Sequence, residues 1–161
     1  LNCFDSSDGT ITTTVSGGQG AGSYLFMLTY PDGTNSIQYS SSTNSHTFTN
    51  LRDGDYTVIV TDNLDCTTST NVTINKPEKL VIGVATLRTP SCTNPTSDVE
   101  VTASEGTPPY EYSADGINYF AGLTSYTFNN LAEGDYTFFV RDHNGCISSP
   151  SNTVSDKAPE E

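Results

Sequence analysis

Apolar residues recur at every second position in short runs along most of this chain, the period of a half-buried strand. Tyr56, Val58 and Val60 share one side of such a run, with Thr57 and Thr61 on the other. Tyr136, Phe138 and Val140 repeat the pattern, with Arg141 outward. In the C-terminal half the alternation predicts seven strands, over 80–87, 98–104, 109–114, about 118–120, 125–130, 134–142 and 147–155. Turn signals separate them: Pro108-Pro109, Asp115-Gly116 and Asn144-Gly145, the last a dipeptide suited to a type I′ hairpin. Helical periodicity is found nowhere.

The pattern is duplicated. Residues 47–66 (TFTNLRDGDYTVIVTDNLDC) and 127–146 (TFNNLAEGDYTFFVRDHNGC) are identical at eleven of twenty positions, at a constant offset of 80. A repeat of this length is too long for a solenoid unit and suits a complete small β domain. Two homologous modules are expected, over 1–76 and 77–161. In each, Leu51-x-x-Gly54-x-Tyr56 or Leu131-x-x-Gly134-x-Tyr136 marks the step from one strand to the next. It resembles a tyrosine corner, where a buried Tyr returns its hydroxyl to nearby backbone and locks a Greek-key corner.

The first module matches from Thr10–Val15 through Asn71–Ile74, with a longer middle hairpin around Asp32-Gly33. Its first strand is missing, because only Leu1 and Asn2 precede Cys3, whereas a full strand precedes Cys92. The chain is therefore expected to begin inside a module, its first strand lost upstream or supplied by another subunit. Lys157-Ala158-Pro159-Glu160 echoes the linker Lys76-Pro77-Glu78, as in a longer array. Any leader is expected to be absent or already removed.

Composition narrows the function classes. Six Lys and Arg against nineteen Asp and Glu give a net charge of -13, which repels nucleic acid and anionic lipid. No stretch approaches the ~20 apolar residues that a membrane-spanning helix needs. His46 and His143 do not recur between the modules, and no GxSxG, HExxH or Walker spacing occurs, so no enzyme is expected. The run Gly17-Gly18-Gln19-Gly20-Ala21-Gly22 lacks the GxGxxG register and reads as a loop. Few Lys, many Thr and Asn, and a single Met give an extracellular composition.

Several motifs together resemble the SprB repeat family of gliding-motility adhesins and other secreted surface proteins of Bacteroidota. They are Cys3 with DGTITTTVSGG at 8–18 and GDYTVIVTD at 54–62. In the second copy they are Cys92, GTPPYEYSADG at 106–116, GDYTFFVRD at 134–142 and Gly145-Cys146. The first copy departs in its middle, GAGSYLFMLTYPDG, and ends in Asp65-Cys66. The resemblance implies immunoglobulin-like modules in tandem along a long exported protein, with no enzyme activity. The expected fold is all-β: two tandem seven-stranded immunoglobulin/fibronectin-III-like sandwiches, the first lacking its own first strand within this chain.

Four cysteines allow three pairings. Equivalence of the copies favours Cys3–Cys66 with Cys92–Cys146, or links between modules. The within-module pairing ranks slightly first, and such a bridge would contribute ~4 kcal/mol. Strand order argues against it, placing the two cysteines of a module at opposite poles. The acidic turns Asp53-Gly54-Asp55 and Glu133-Gly134-Asp135, with Asp62 and Asp142, are weak Ca²⁺ candidates, since Asp and Gly are also what turns require. No other cofactor is expected. Tyr119, Phe120 and Tyr126 are candidates for stacking on sugars, although core packing is the stronger reading. O-glycans on outward Ser and Thr are conceivable.

The leading expectation is a structural and adhesive repeat of a cell-surface adhesin or fibre. Its partners would be neighbouring modules, and beyond them surface polysaccharide or other cells. A filament subunit joined by strand donation or inter-module disulfides is the runner-up. A carbohydrate-binding accessory module comes third.

Overall fold

The computed structural model describes residues 1–18, 23–33 and 36–156. Residues 19–22 of the glycine-rich loop and the linker echo at 157–160 lie outside them. The described residues form strands and no helix, and every strand pair is antiparallel. The protein is all-β. It divides into two compact units, Leu1–Lys76 and Pro77–Glu161.

In the first unit β1 (Gly9–Thr14) pairs with β4 (Ser45–Leu51). The strands β2 (Tyr24–Thr29), β3 (Ser36–Ser41), β5 (Gly54–Thr61) and β6 (Thr67–Ile74) form a second sheet in the order β3-β2-β5-β6. Alternation decides which side chains meet. Ile11, Phe48 and Leu51 from the small sheet bury against Phe26, Leu28, Tyr56, Val58 and Val60 from the large one. Each such side chain contributes about 1.5–3 kcal/mol of hydrophobic stabilisation.

In the second unit β7 (Val81–Arg88), β8 (Ser97–Ser104) and β11 (Ser125–Leu131) form one sheet, with β8 central. Opposite it, β9 (Tyr110–Ser113) pairs with β10 (Phe120–Gly122) and β13 (Phe139–Arg141), while β12 (Gly134–Tyr136) pairs with β14 (Val154–Asp156). Leu80, Val99, Val101, Ala103 and Phe128 share a core with Tyr110, Tyr112, Phe138 and Val140.

The second unit departs from the expected strands at its end. The run 134–142 is split, and the expected strand 147–155 shrinks to Val154–Asp156. The Phe138 amide donates to Ser151 Oγ and the Val140 amide to Ser148 Oγ, so side chains stand in for the ladder. Pro150 lies between those serines and has no amide hydrogen to donate. The turn at Asn144-Gly145 also differs from the expected type I′. Asn144 keeps a negative φ and only Gly145 is left-handed (φ 81°), with its amide donating to Asp142 O at 3.0 Å. That is a type I turn followed by a glycine bulge.

Both units bend the same strand in the same way. Asn50 (φ 60°) and Asn130 (φ 55°) adopt the left-handed conformation that Asn tolerates. Each breaks the register just before Leu51 or Leu131.

Candidate functional site

The repeated motif residues build two local locks. Tyr56 is 2% exposed and donates its hydroxyl to the Arg52 carbonyl at 3.0 Å. Tyr136, half-buried, donates to the Ala132 carbonyl at 2.9 Å. Each bond spans four residues and ties the ring over the turn that carries Gly54 or Gly134. Burial pushes the Tyr56 phenol above its ordinary pKa.

The second lock sits at the opposite end of the same strand. Asp62 Oδ1 accepts the amides of Leu64 and Cys66, both at 2.9 Å. Asp142 Oδ1 accepts those of Asn144 and Cys146, also both at 2.9 Å. Asp142 Oδ2 takes the Thr107 amide as well, at 3.0 Å. The sequence signal, an Asp four residues before each Cys, was legible only as a calcium candidate. A carboxylate that orders its own turn explains the same spacing.

The acidic turns do not gather into a cation site. Asp53 pairs with Lys76 at 3.3 Å, Asp55 accepts from Thr73 Oγ1 at 2.6 Å, and Asp135 accepts from Ser155 Oγ at 2.6 Å. Glu133 is exposed. Among the described residues no three His, Cys, Asp or Glu side chains lie together as a metal would need.

The within-module disulfides are overturned, because Cys66 and Cys92 are free, exposed thiols. Neither Cys3–Cys66 nor Cys92–Cys146 forms. Cys3 precedes β1 at the pole where Gly9 faces Leu51, whereas Cys66 follows the far end of β5. Eight residues of strand separate those poles, roughly 25 Å at ~3.3 Å per residue, against the ~7 Å a bridge allows. Cys92, ahead of β8, and Cys146, after β13, are divided in the same way.

The aromatics mostly pack. Phe120 stacks on Tyr126 (5.5 Å), which stacks on Tyr112 (6.1 Å) and meets Phe128 edge-on (4.8 Å). Burial pushes the Tyr112 phenol up to about 12. Tyr119 lies beneath the Arg141 guanidinium at 4.3 Å, and Arg141 donates through Nε and Nη2 to Glu111 Oε2. Arg141 and Glu111 border a cleft of about 420 Å³ that also includes His143. In the first unit His46 stacks on exposed Tyr39 at 3.8 Å and meets Phe48 edge-on.

One edge distinguishes the units. In the second, β8 is flanked on both sides, by β11 and β7. In the first, β1 pairs among the described residues with β4 alone. Two clefts run beside its second edge. One of about 270 Å³ is lined by Thr13, Thr14, Val15, Val58, Val60 and residues of β6. The other, about 240 Å³, continues past Ser16, Gly18 and Tyr24.

A clamp that the sequence did not reveal holds β7 in the second unit. Arg88 donates through Nε to Asp98 Oδ2 (2.8 Å) and through Nη2 to Asp98 Oδ1 (2.9 Å). Arg88 also reaches Thr96 and Asn130. This guanidinium, helped by the Asn130 amide, lowers the Asp98 pKa to about 2.

Residues 1–33 match the family model described as the SprB repeat. No curated protein matches the chain. Among solved structures, it is similar to fibronectin(III)-like modules of Clostridium thermocellum CbhA, at 16% identity over 95% of this chain and 87% of that one, with a TM-score of 0.36. It is also similar to the amphioxus IgVJ-C2 molecule, at 16% identity over 94% of this chain and 97% of that one, with a TM-score of 0.34.

Proposed function

We propose that this chain is a non-catalytic repeat segment of a secreted cell-surface protein, whose work is to extend, stiffen and present that protein. The observation that carries the reading is the pair of duplicated locks. The Tyr56 and Tyr136 corners and the Asp62 and Asp142 turns recur with matching hydrogen bonds, although the core aromatics, middle hairpins and last strands around them differ. What is common to both units is this scaffold. The SprB match over residues 1–33 supports placement outside the cell, as do the net charge of -13 and a Thr-rich exterior that resists lateral aggregation.

The reading is tested by labelling intact cells of the source organism with antibody raised against this chain. Decoration of the surface, or of fibres extending from it, with loss of attachment when the antibody is added, is the expected result. Label that is seen only after the cells are permeabilised overturns it.

A further inference from the structure

We propose that the corner of the first unit carries a carbohydrate site: a cleft between its middle hairpin and the Leu51-x-x-Gly54-x-Tyr56 turn that binds a neutral pyranose ring. The cleft measures about 350 Å³, a volume at the small end of ligand pockets and suited to a single sugar. One wall is the hairpin. Its Gly33 amide donates to Tyr30 O at 2.9 Å, closing a turn with Pro31 and Asp32 at its centre. The Pro31 ring sits on Gly54, where a Cβ would collide with it, so the glycine of the corner motif is what lets the hairpin approach. The other wall is the corner itself, with Asn50, Arg52 and Tyr56. Tyr30 leans on Tyr56, ring centroids 5.7 Å apart and planes at 58°. It is half-buried, so its ring is held in place and still lines the cleft.

The cleft offers what a sugar ring needs, an apolar platform for its C–H face and planar polar side chains for its hydroxyls. Tyr30 and Pro31 supply the platform. The polar groups are uncommitted. Arg52 is exposed, and among the described residues its guanidinium makes no ion pair or hydrogen bond, whereas Arg88 and Arg141 each hold a carboxylate. Asn50 Nδ2 reaches only Thr49 Oγ1, at a long 3.5 Å. Charge is balanced as well: Arg52 and Asp32 are of opposite sign, and Asp53, which also lines the cleft, is engaged by Lys76 at 3.3 Å. Such a mix of donors and acceptors suits a neutral polyol, and the net charge of -13 disfavours a polyanionic glycan. The second unit is a control built into the chain. At the register that matches Phe26 with Tyr112, Tyr30 corresponds to Gly116, and at the offset of 80 Arg52 corresponds to Ala132. Platform and cation are both missing there, although the corner hydrogen bond from Tyr136 is kept. The site does not depend on where the protein resides, so it stands or falls separately from the surface reading.

The test titrates the full chain with the methyl pyranosides of glucose, galactose and mannose and follows backbone amide shifts by NMR. The expected result is saturable, millimolar binding of at least one of them, with the Asn50, Arg52 and Gly54 amides moving and those of Asn130, Ala132 and Gly134 still. Arg52→Ala, which gives the first corner the residue of the second, should weaken that binding about tenfold or more. Tyr30→Ala should abolish it and Tyr30→Phe should retain it, since the platform is the ring. Should Tyr30→Ala unfold the unit, Arg52→Ala still decides, because that side chain is exposed and the carbonyl at 52 still accepts from Tyr56. No saturable shift from any of the three sugars, or equal shifts at both corners, overturns the site. Binding that Arg52→Ala leaves unchanged overturns it too, as does binding of glucuronate in place of the three neutral sugars.

Discussion

The two units share a scaffold but close it differently. In the second, β8 is sealed by β7 along its outer edge, and the Arg88–Asp98 pair clamps that strand near its end. In the first, the equivalent β1 pairs among the described residues with β4 alone, and Thr10 stands where Asp98 would be. At the other side the contrast reverses: β6 pairs with β5 through eight residues, whereas β14 is short and Ser148 and Ser151 complete its ladder. Each unit is regular where the other is makeshift. Repeated corners therefore do not require matching last strands.

The largest test of the comparison is in the cores. Phe26 and Tyr112 occupy the same position on their central strands and are each 0% exposed. Truncating either to Ala should cost about 3–5 kcal/mol, from lost burial and the cavity left behind. Because the clusters around them are separate, each substitution should destabilise its own unit alone. Phe26→Ala should therefore weaken the first unit and spare the second, and Tyr112→Ala should do the reverse. Denaturant unfolding read by residue-specific hydrogen exchange checks this. Equal losses in both units from either substitution would show that the cores are coupled.

A sharper contrast lies within the shared Leu-x-x-Gly-x-Tyr motif. Gly54 has φ 135°, and a Cβ there would collide with the Pro31 ring. At Gly134 a Cβ would meet only Tyr136, at an ordinary 3.7 Å. Gly54→Ala should cost about 1–3 kcal/mol, and Gly134→Ala should stay within about 0.5 kcal/mol. The bulge of the last hairpin offers the reverse test. Asp65 is left-handed (φ 62°) where the second unit has Gly145 (φ 81°). Asp65→Gly should therefore stabilise the first unit by up to about 1 kcal/mol, while leaving the Asp62 lock in place. Thermal melts of the three variants settle the order.

These contrasts also mark what the sequence could reveal. Strands with a strict two-residue alternation, such as β5 and β8, were legible because one face must be buried along their whole length. The corners were legible because a tyrosine and its acceptor lie four residues apart, so local pattern carries them. The split of the strand at 137–138 was not, since it depends on serines eight and thirteen residues away accepting hydrogen bonds from the Val140 and Phe138 amides. Nor was the role of Asp62 and Asp142, because a carboxylate that orders its own turn has the same spelling as one that holds a cation. Only the within-module pairing failed, against the strand-order argument that already placed the two cysteines of a module apart. Each cysteine repeats faithfully, but the two in a module mark opposite poles.

The smallest effect is acid sensitivity. Asp98 is lowered to about 2 from an ordinary 3.8, chiefly by Arg88 and then by the Asn130 amide. A carboxyl whose folded pKa is depressed contributes stability that is fully present above its unfolded pKa and lost as pH falls through the folded one. The clamp on β7 should therefore hold at neutral pH and weaken between pH about 4 and about 2. Asp115, also in the second unit, lies well below the usual carboxylate range, held first by the Asn118 and Ile117 amides, so acid alone does not isolate the clamp. Arg88→Met does, because it removes the main cause of the Asp98 shift and leaves Asp115 untouched. Carboxyl carbon NMR should show Asp98 titrating near 2 in the native chain and moving up toward 3.8 in that variant, with faster exchange of the β7 amides. An Asp98 that titrates at 3.8 in the native chain would remove the clamp from the account.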